Sequence, residues 1–152
     1  MYNFYKYGGS HTNLPNVHQV VFRKVNPRWD SLHRVLWHVF SWFCGSRFYE
    51  YQIVKNERVL STAEVCPKLP IFKFFNRGYH IGPCMTIKEE RGKGFYPLIF
   101  QYIIEEHPER DYYMIIDENN VSSQKGVAKV NFQRFAVGHK DRWGRYVIDQ
   151  IL

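Results

Sequence analysis

The amino-acid sequence predicts one α/β (α+β) domain, a sheet with both parallel and antiparallel pairs and helices against it. Three observations carry this. Segments of strand and helix character alternate along most of the chain. Two strand candidates, 48–54 and 58–66, are joined by only Lys55-Asn56-Glu57, short enough for an antiparallel hairpin. Tyr112 to Ile116 is a continuous apolar run, as expected of a strand covered on both faces.

Residues 1–18, rich in Tyr, Asn and Gly, read as an irregular arm. Val20 to Val25 is a short strand stopped by Asn26-Pro27. From Trp29 the apolar positions are Leu32, Val35, Leu36, Val39, Phe40 and Phe43. This spacing of three and four predicts an amphipathic helix, with Asp30 in its first turn and Gly45 beyond its end. After the hairpin, residues 67–78 carry Pro and Lys and read as a loop or edge segment. Tyr79 to Ile87 is a strand interrupted by Gly82-Pro83, because proline cannot donate to a ladder.

Phe95, Leu98, Ile99, Tyr102 and Ile103 mark a second amphipathic helix, ended by His107-Pro108. A short polar helix over 121–130 follows the buried strand. A final strand pair, 133–137 and 145–151, turns at Asp141-Arg142-Trp143-Gly144.

At 152 residues the chain is one domain, able to form a core without staples. Its net charge of +7 favours anionic partners, among which charge alone does not choose. Three dispersed cysteines with no CxxC argue against a disulfide framework or zinc ribbon and for a reducing, cytoplasmic setting. The segment 35–44, interrupted by His38 and Ser41, comes nearest to a membrane span and is too short for one. No HExxH motif or Cys/His cluster calls for a metal, and no GxSxG elbow supports a serine hydrolase.

The most informative stretch is Ile87-Lys88-Glu89-Glu90-Arg91-Gly92-Lys93-Gly94-Phe95-Tyr96. A strand ends, two glycines and two cations follow, and a helix begins. Unpaired N–H groups and the dipole at a helix start attract an anion, and glycine lets backbone approach a phosphate. The sequence meets neither the P-loop nor the dinucleotide-binding fingerprint. A solvated basic turn would use the same residues.

In this context the sequence resembles the GNAT superfamily of acyl-CoA-dependent N-acyltransferases. The family motif is Arg or Gln, two residues, Gly, one residue, Gly or Ala; Arg91 to Tyr96 matches except that Tyr96 replaces the last small residue. Ile87 sits at the family's apolar strand end, and Asn120, Ser123, Lys129 and Phe132 fall at its downstream spacings. The two motifs span about residues 79–139, and the element order extends the likeness over most of the chain.

The resemblance implies a mostly antiparallel central sheet with splayed middle strands. Acetyl-CoA would lie in the gap, its pantetheine on the backbone of Met85 and Ile87. Amides from Gly92 to Tyr96, with Arg91 and Lys93, would hold its pyrophosphate, and Asn120 would contact the pantetheine or the acyl end. His80 and Glu64 are the candidates for the base that deprotonates a small-molecule amine such as an amino sugar, and a structural role is open for each. The tyrosine that protonates the thiolate in many relatives is replaced by Val127, for which Ser123 or Tyr96 could substitute. A catalytically silent acyl-CoA-binding protein of this fold is the alternative. A basic nucleic-acid-binding module is a third reading, but the aromatic residues alternate at strand spacing, so nucleic acid is not the expected partner. Trp37 and Trp42 would line an acceptor pocket or an oligomer face.

Overall fold

The computed structural model describes residues 1–9, 19–43, 47–68, 71–75 and 77–152. Eight strands form one sheet in the order β2-β3-β4-β5-β6-β1-β7-β8. They are β1 (Tyr2–Tyr7), β2 (Val21–Val25), β3 (Tyr49–Lys55), β4 (Arg58–Pro67), β5 (Tyr79–Thr86), β6 (Tyr112–Asp117), β7 (Phe132–Lys140) and β8 (Tyr146–Ile151). Among the described residues, three α-helices, α1 (Leu32–Phe43), α2 (Phe95–Glu106) and α3 (Val121–Ala128), lie against it. The mixed, mostly antiparallel sheet flanked by helices is as expected, with one exception at the start of the chain.

That exception is β1. Residues 2–7 do not form an irregular arm: they are an inner strand, antiparallel to β6 on one side and β7 on the other. Tyr and Phe favour strands, and the pleat sends Phe4 and Tyr5 to opposite faces where both are buried. Phe4 meets Phe74 on one face, and Tyr5 joins the main core on the other. Residues 10–18, the rest of the expected arm, lie outside the described residues.

The β3–β4 hairpin turns at Asn56-Glu57, both with positive φ, as a two-residue hairpin requires. At β5 the expected interruption is a bulge. Ala63 pairs with Cys84 but Val65 with Ile81, so Gly82-Pro83 stands as surplus backbone opposite Glu64. On its other edge β5 runs parallel to β6 only at Tyr79–Tyr112 and His80–Tyr113. Beyond His80 the two strands separate. β6 satisfies its backbone on β1 instead, leaving a gap beside residues 81–86.

The two faces of the sheet differ. On one, α2 buries Phe95, Ile99, Phe100, Ile103 and Ile104 in a core shared with Tyr51, Leu60, Ile81, Met114 and Val127. Each such side chain contributes roughly 1.5–3 kcal/mol of burial. The other face carries an aromatic cluster of Trp37, Phe48, Phe72 and Phe75, with α1 and residues 71–75 across it. Phe72 bridges to Tyr146 of β8, which pins this loop to the sheet.

The α1 helix departs from what its periodicity implies. Its inward residues are Arg34, Trp37 and Ser41, while Leu32, Leu36, Val39, Phe40 and Phe43 face outward. Asp30 lies before the helix rather than in it, and Gly45 lies outside the described residues.

Candidate functional site

The β5–β6 gap opens into a cavity of about 450 Å³. Its walls are the end of β5, the turn after it, the start of α2 and the inner side of α3. Of the residues singled out from sequence, Met85, Arg91, Gly92, Gly94, Phe95, Tyr96, Asn120 and Ser123 line it together. Lys93 belongs to the same turn but points aside, its Nζ 3.0 Å from Glu90 Oε2.

The turn is shaped for backbone to meet a ligand. Gly92 and Gly94 have φ of +79° and +88°, values a side chain strongly disfavours, and no atom lies within 4 Å of where a Cβ would stand. Gly94 is the N-cap of α2 and supplies no side-chain acceptor. The first helical amides, Phe95 and Tyr96, thus stand at the positive end of the dipole without a cap, and Pro97 after them has no N–H to add. Arg91 Nε donates to the Thr86 carbonyl at 3.1 Å, which folds the turn back over the strand end. Lys125 of α3 and Lys129 at its C-terminal end bring two more cations; Lys129 falls at the family spacing, whereas a lone Lys125 in a polar helix did not signal its place.

The register moves one expectation by a residue. Ile87 N–H donates to Leu60 O of β4, so its amide faces away from the gap. Antiparallel ladders alternate, and Met85 pairs with Thr62 in the same phase. The backbone groups that look into the gap are therefore those of Cys84 and Thr86. Met85 reaches the cavity with its side chain, while its carbonyl accepts from Ser61 Oγ.

Tyr96 occupies the place of the motif's small residue, and Gly126 accommodates it. A Cβ on Gly126 would lie 2.6 Å from Tyr96 Cδ1 and 2.9 Å from Cε1, so one edge of the ring rests against a bare stretch of α3. Burial pushes the Tyr96 pKa up, and neighbouring Ser123 only partly opposes the rise, so the phenol stays protonated. Asn120 caps α3, its Oδ1 accepting from Ser123 N–H at 3.1 Å. Val127 is fully buried in the core. Asn131 has a φ of +61°, the left-handed conformation that glycine would otherwise supply.

Glu64 and His80 lie elsewhere: neither lines the cavity. Both sit on the aromatic face beneath α1, 5% and 7% exposed. Glu64 Oε1 accepts from Arg34 Nε at 2.9 Å, and the same guanidinium reaches Glu50 and Asp30. Glu64 Oε2 lies 3.5 Å from His33 Nε2, too far for a good hydrogen bond. Burial raises the Glu64 pKa and Arg34 opposes the rise, leaving it above the ordinary carboxylate value. His80 packs between Phe72 at 4.4 Å and Trp37 at 6.3 Å, with Cys66 Sγ 4.0 Å from its Nδ1. Its Nε2 has no partner among the described residues. Burial lowers its pKa to about 3, so the imidazole is neutral across the physiological range.

No protein-family model matches the chain, and no curated protein matches it in sequence. Its fold does match solved structures. A conserved protein of unknown function from Staphylococcus epidermidis ATCC 12228 superposes with a TM-score of 0.57 at 10% identity, over 88% of this chain and 57% of that one. A GNAT-family protein of Novosphingobium aromaticivorans DSM 12444 gives 0.55 at 12% identity, over 88% and 59%. A GNAT-family acetyltransferase of Colwellia psychrerythraea gives 0.51 at 13%, over 88% and 54%. The chain has the GNAT fold. It spans somewhat more than half the length of these solved structures.

Proposed function

We propose that this protein transfers an acetyl or other short acyl group from acyl-CoA to a primary amine, as in a small molecule such as an amino sugar. One observation carries the reading: a gap between splayed parallel strands runs into a glycine turn at an uncapped helix start. A nucleotide diphosphate fits the chemistry of that turn, with amides from Gly92 to Tyr96 and the charges of Arg91, Lys125 and Lys129. The backbone of Cys84 and Thr86 would hold an amide-bearing arm as an added half-strand. Bound acetyl-CoA would supply an activated thioester. The protein's own part is positioning: it excludes water from the gap and fixes where an incoming amine meets the carbonyl.

Tyr96, kept protonated by burial and with Ser123 beside it in the cavity wall, would take the proton-donor role for which Val127 has no atom. Glu64 and His80 act from beneath α1, so a base there requires this helix to give access. The sealing of both groups favours the second reading, a protein of this fold that binds acyl-CoA without turnover. Calorimetry with acetyl-CoA, followed by thiol release across an amine panel, tests both. Saturable binding with turnover is expected; binding without turnover supports the silent form; absence of binding removes both.

A further inference from the structure

The α1 helix is inside out for a lone domain. A helix at a protein surface normally turns its apolar stripe to the core and its polar side to water. Here Leu32, Leu36, Val39, Phe40 and Phe43 recur at spacings of three and four on the outer side, with Leu32 and Phe43 each 75% exposed. Trp42, 78% exposed, flanks the stripe. Rotating the helix is no remedy: Arg34 is anchored underneath by Glu64 and Glu50, and Trp37 is packed on Phe48 and Phe72. The stripe must therefore be covered from outside.

We propose that it is covered by the same stripe of a second copy of this chain, α1 against α1 across a two-fold axis. Three features select that occupant. With Trp42 the exposed surface of the stripe is on the order of 700 Å², near one partner's share of a stable interface. A two-fold joins like to like, so a single apolar stripe is complementary to itself and the contact closes at two copies. Arg34 is the one charged residue of α1, and it is turned inward. A helix lying on a lipid surface carries Lys and Arg on the face beside its apolar stripe, and the one such residue of α1 is taken up by Glu64 and Glu50. In the dimer, α1 is clamped between the partner helix and the sheet face that carries Glu64 and His80.

Light scattering on the full chain should give twice the 18.3 kDa chain mass at micromolar concentration. Phe40→Glu should weaken association more than 100-fold, while Ile151→Glu, at an exposed apolar site on β8, should leave it unchanged. In case Phe40→Glu misfolds, Val39→Cys serves as the second variant. Combined with Cys44→Ser, it should form an intermolecular disulfide under mild oxidation that Cys44→Ser alone does not form. A wild-type monomer at high micromolar concentration overturns the proposal, as does a dimer indifferent to Phe40→Glu and not trapped by Val39→Cys. A monomer that co-sediments with vesicles of anionic phospholipid also overturns it, since that outcome assigns the stripe to a membrane.

Discussion

The two faces of the sheet solve opposite problems. On the α2–α3 face an apolar core surrounds a cavity whose working surface is backbone: glycine amides, a helix start and the bare flank of α3 at Gly126. On the α1 face, polar side chains are shut away under an aromatic lid, and apolar ones are turned outward. One face holds a site by leaving groups out, the other by burying charge under compensation. The first should tolerate change poorly in binding but well in stability, and the second the reverse.

The largest expected effect comes from Arg34→Ala. It leaves Glu64 and Glu50 buried without the cation they share, and breaking such an arrangement costs about 3–5 kcal/mol. Chemical denaturation should show that loss. The affinity of the folded variant for CoA should stay within twofold of wild type. A large loss of affinity with little loss of stability would reverse the contrast between the faces.

Gly94→Val is the counterpart on the cavity side. A β-branched residue at φ +88° strains the turn and places methyl groups where the amides face the ligand. Calorimetry should show acetyl-CoA binding at least 100-fold weaker. Unchanged affinity would mean that this turn does not meet the phosphates.

The same contrast explains what could be read from sequence. The glycine turn, the strand break and the uncapped helix are local features, and the residues of one short segment define them. Asn120 and Ser123 are legible only through the resemblance to the GNAT family's downstream motif. What remained hidden depends on pairing at long range. The place of β1 between β6 and β7 is invisible until the chain closes, and a tyrosine-rich start with Asn and Gly reads equally as irregular. Choosing Cys84 and Thr86 over Met85 and Ile87 needs the phase of the β4–β5 ladder. Periodicity located α1 but could not say which side the carboxylates of β3 and β4 would hold down. Glu64 and His80 were legible as titratable groups, yet their seclusion follows from aromatic residues distant in sequence.

Gly126→Ala should have an intermediate effect. Alanine improves helix propensity by about 1 kcal/mol over glycine, but its Cβ would collide with the Tyr96 ring at 2.6 Å. The net result should be a loss of about 1–2 kcal/mol. Combining it with Tyr96→Ala should recover that loss, and a double-mutant cycle on denaturation midpoints measures the coupling. Additive effects would show that the ring does not rest on the glycine.

The smallest effect tests how burial and pairing balance at Glu64. Its pKa in the folded protein lies above the ordinary value of 4.5, so between those two values the folded state holds more protons than the unfolded chain. Stability in this window falls as pH rises, by at most about 1.4 kcal/mol per pH unit for a single group. His80 acts in the opposite sense. Its pKa is lowered from 6.5 to about 3, so its contribution is complete above 6.5 and is lost as pH falls toward 3. Wild type and Glu64→Gln share the His80 term, and the difference between their stability–pH curves isolates the carboxylate. Wild type should lose ground to Glu64→Gln as pH rises above 4.5, then run parallel to it once Glu64 is ionised in both states. If wild type instead gained ground over that range, attraction to Arg34 would outweigh burial. The α1 face would then be an ordinary paired surface rather than one held under electrostatic penalty.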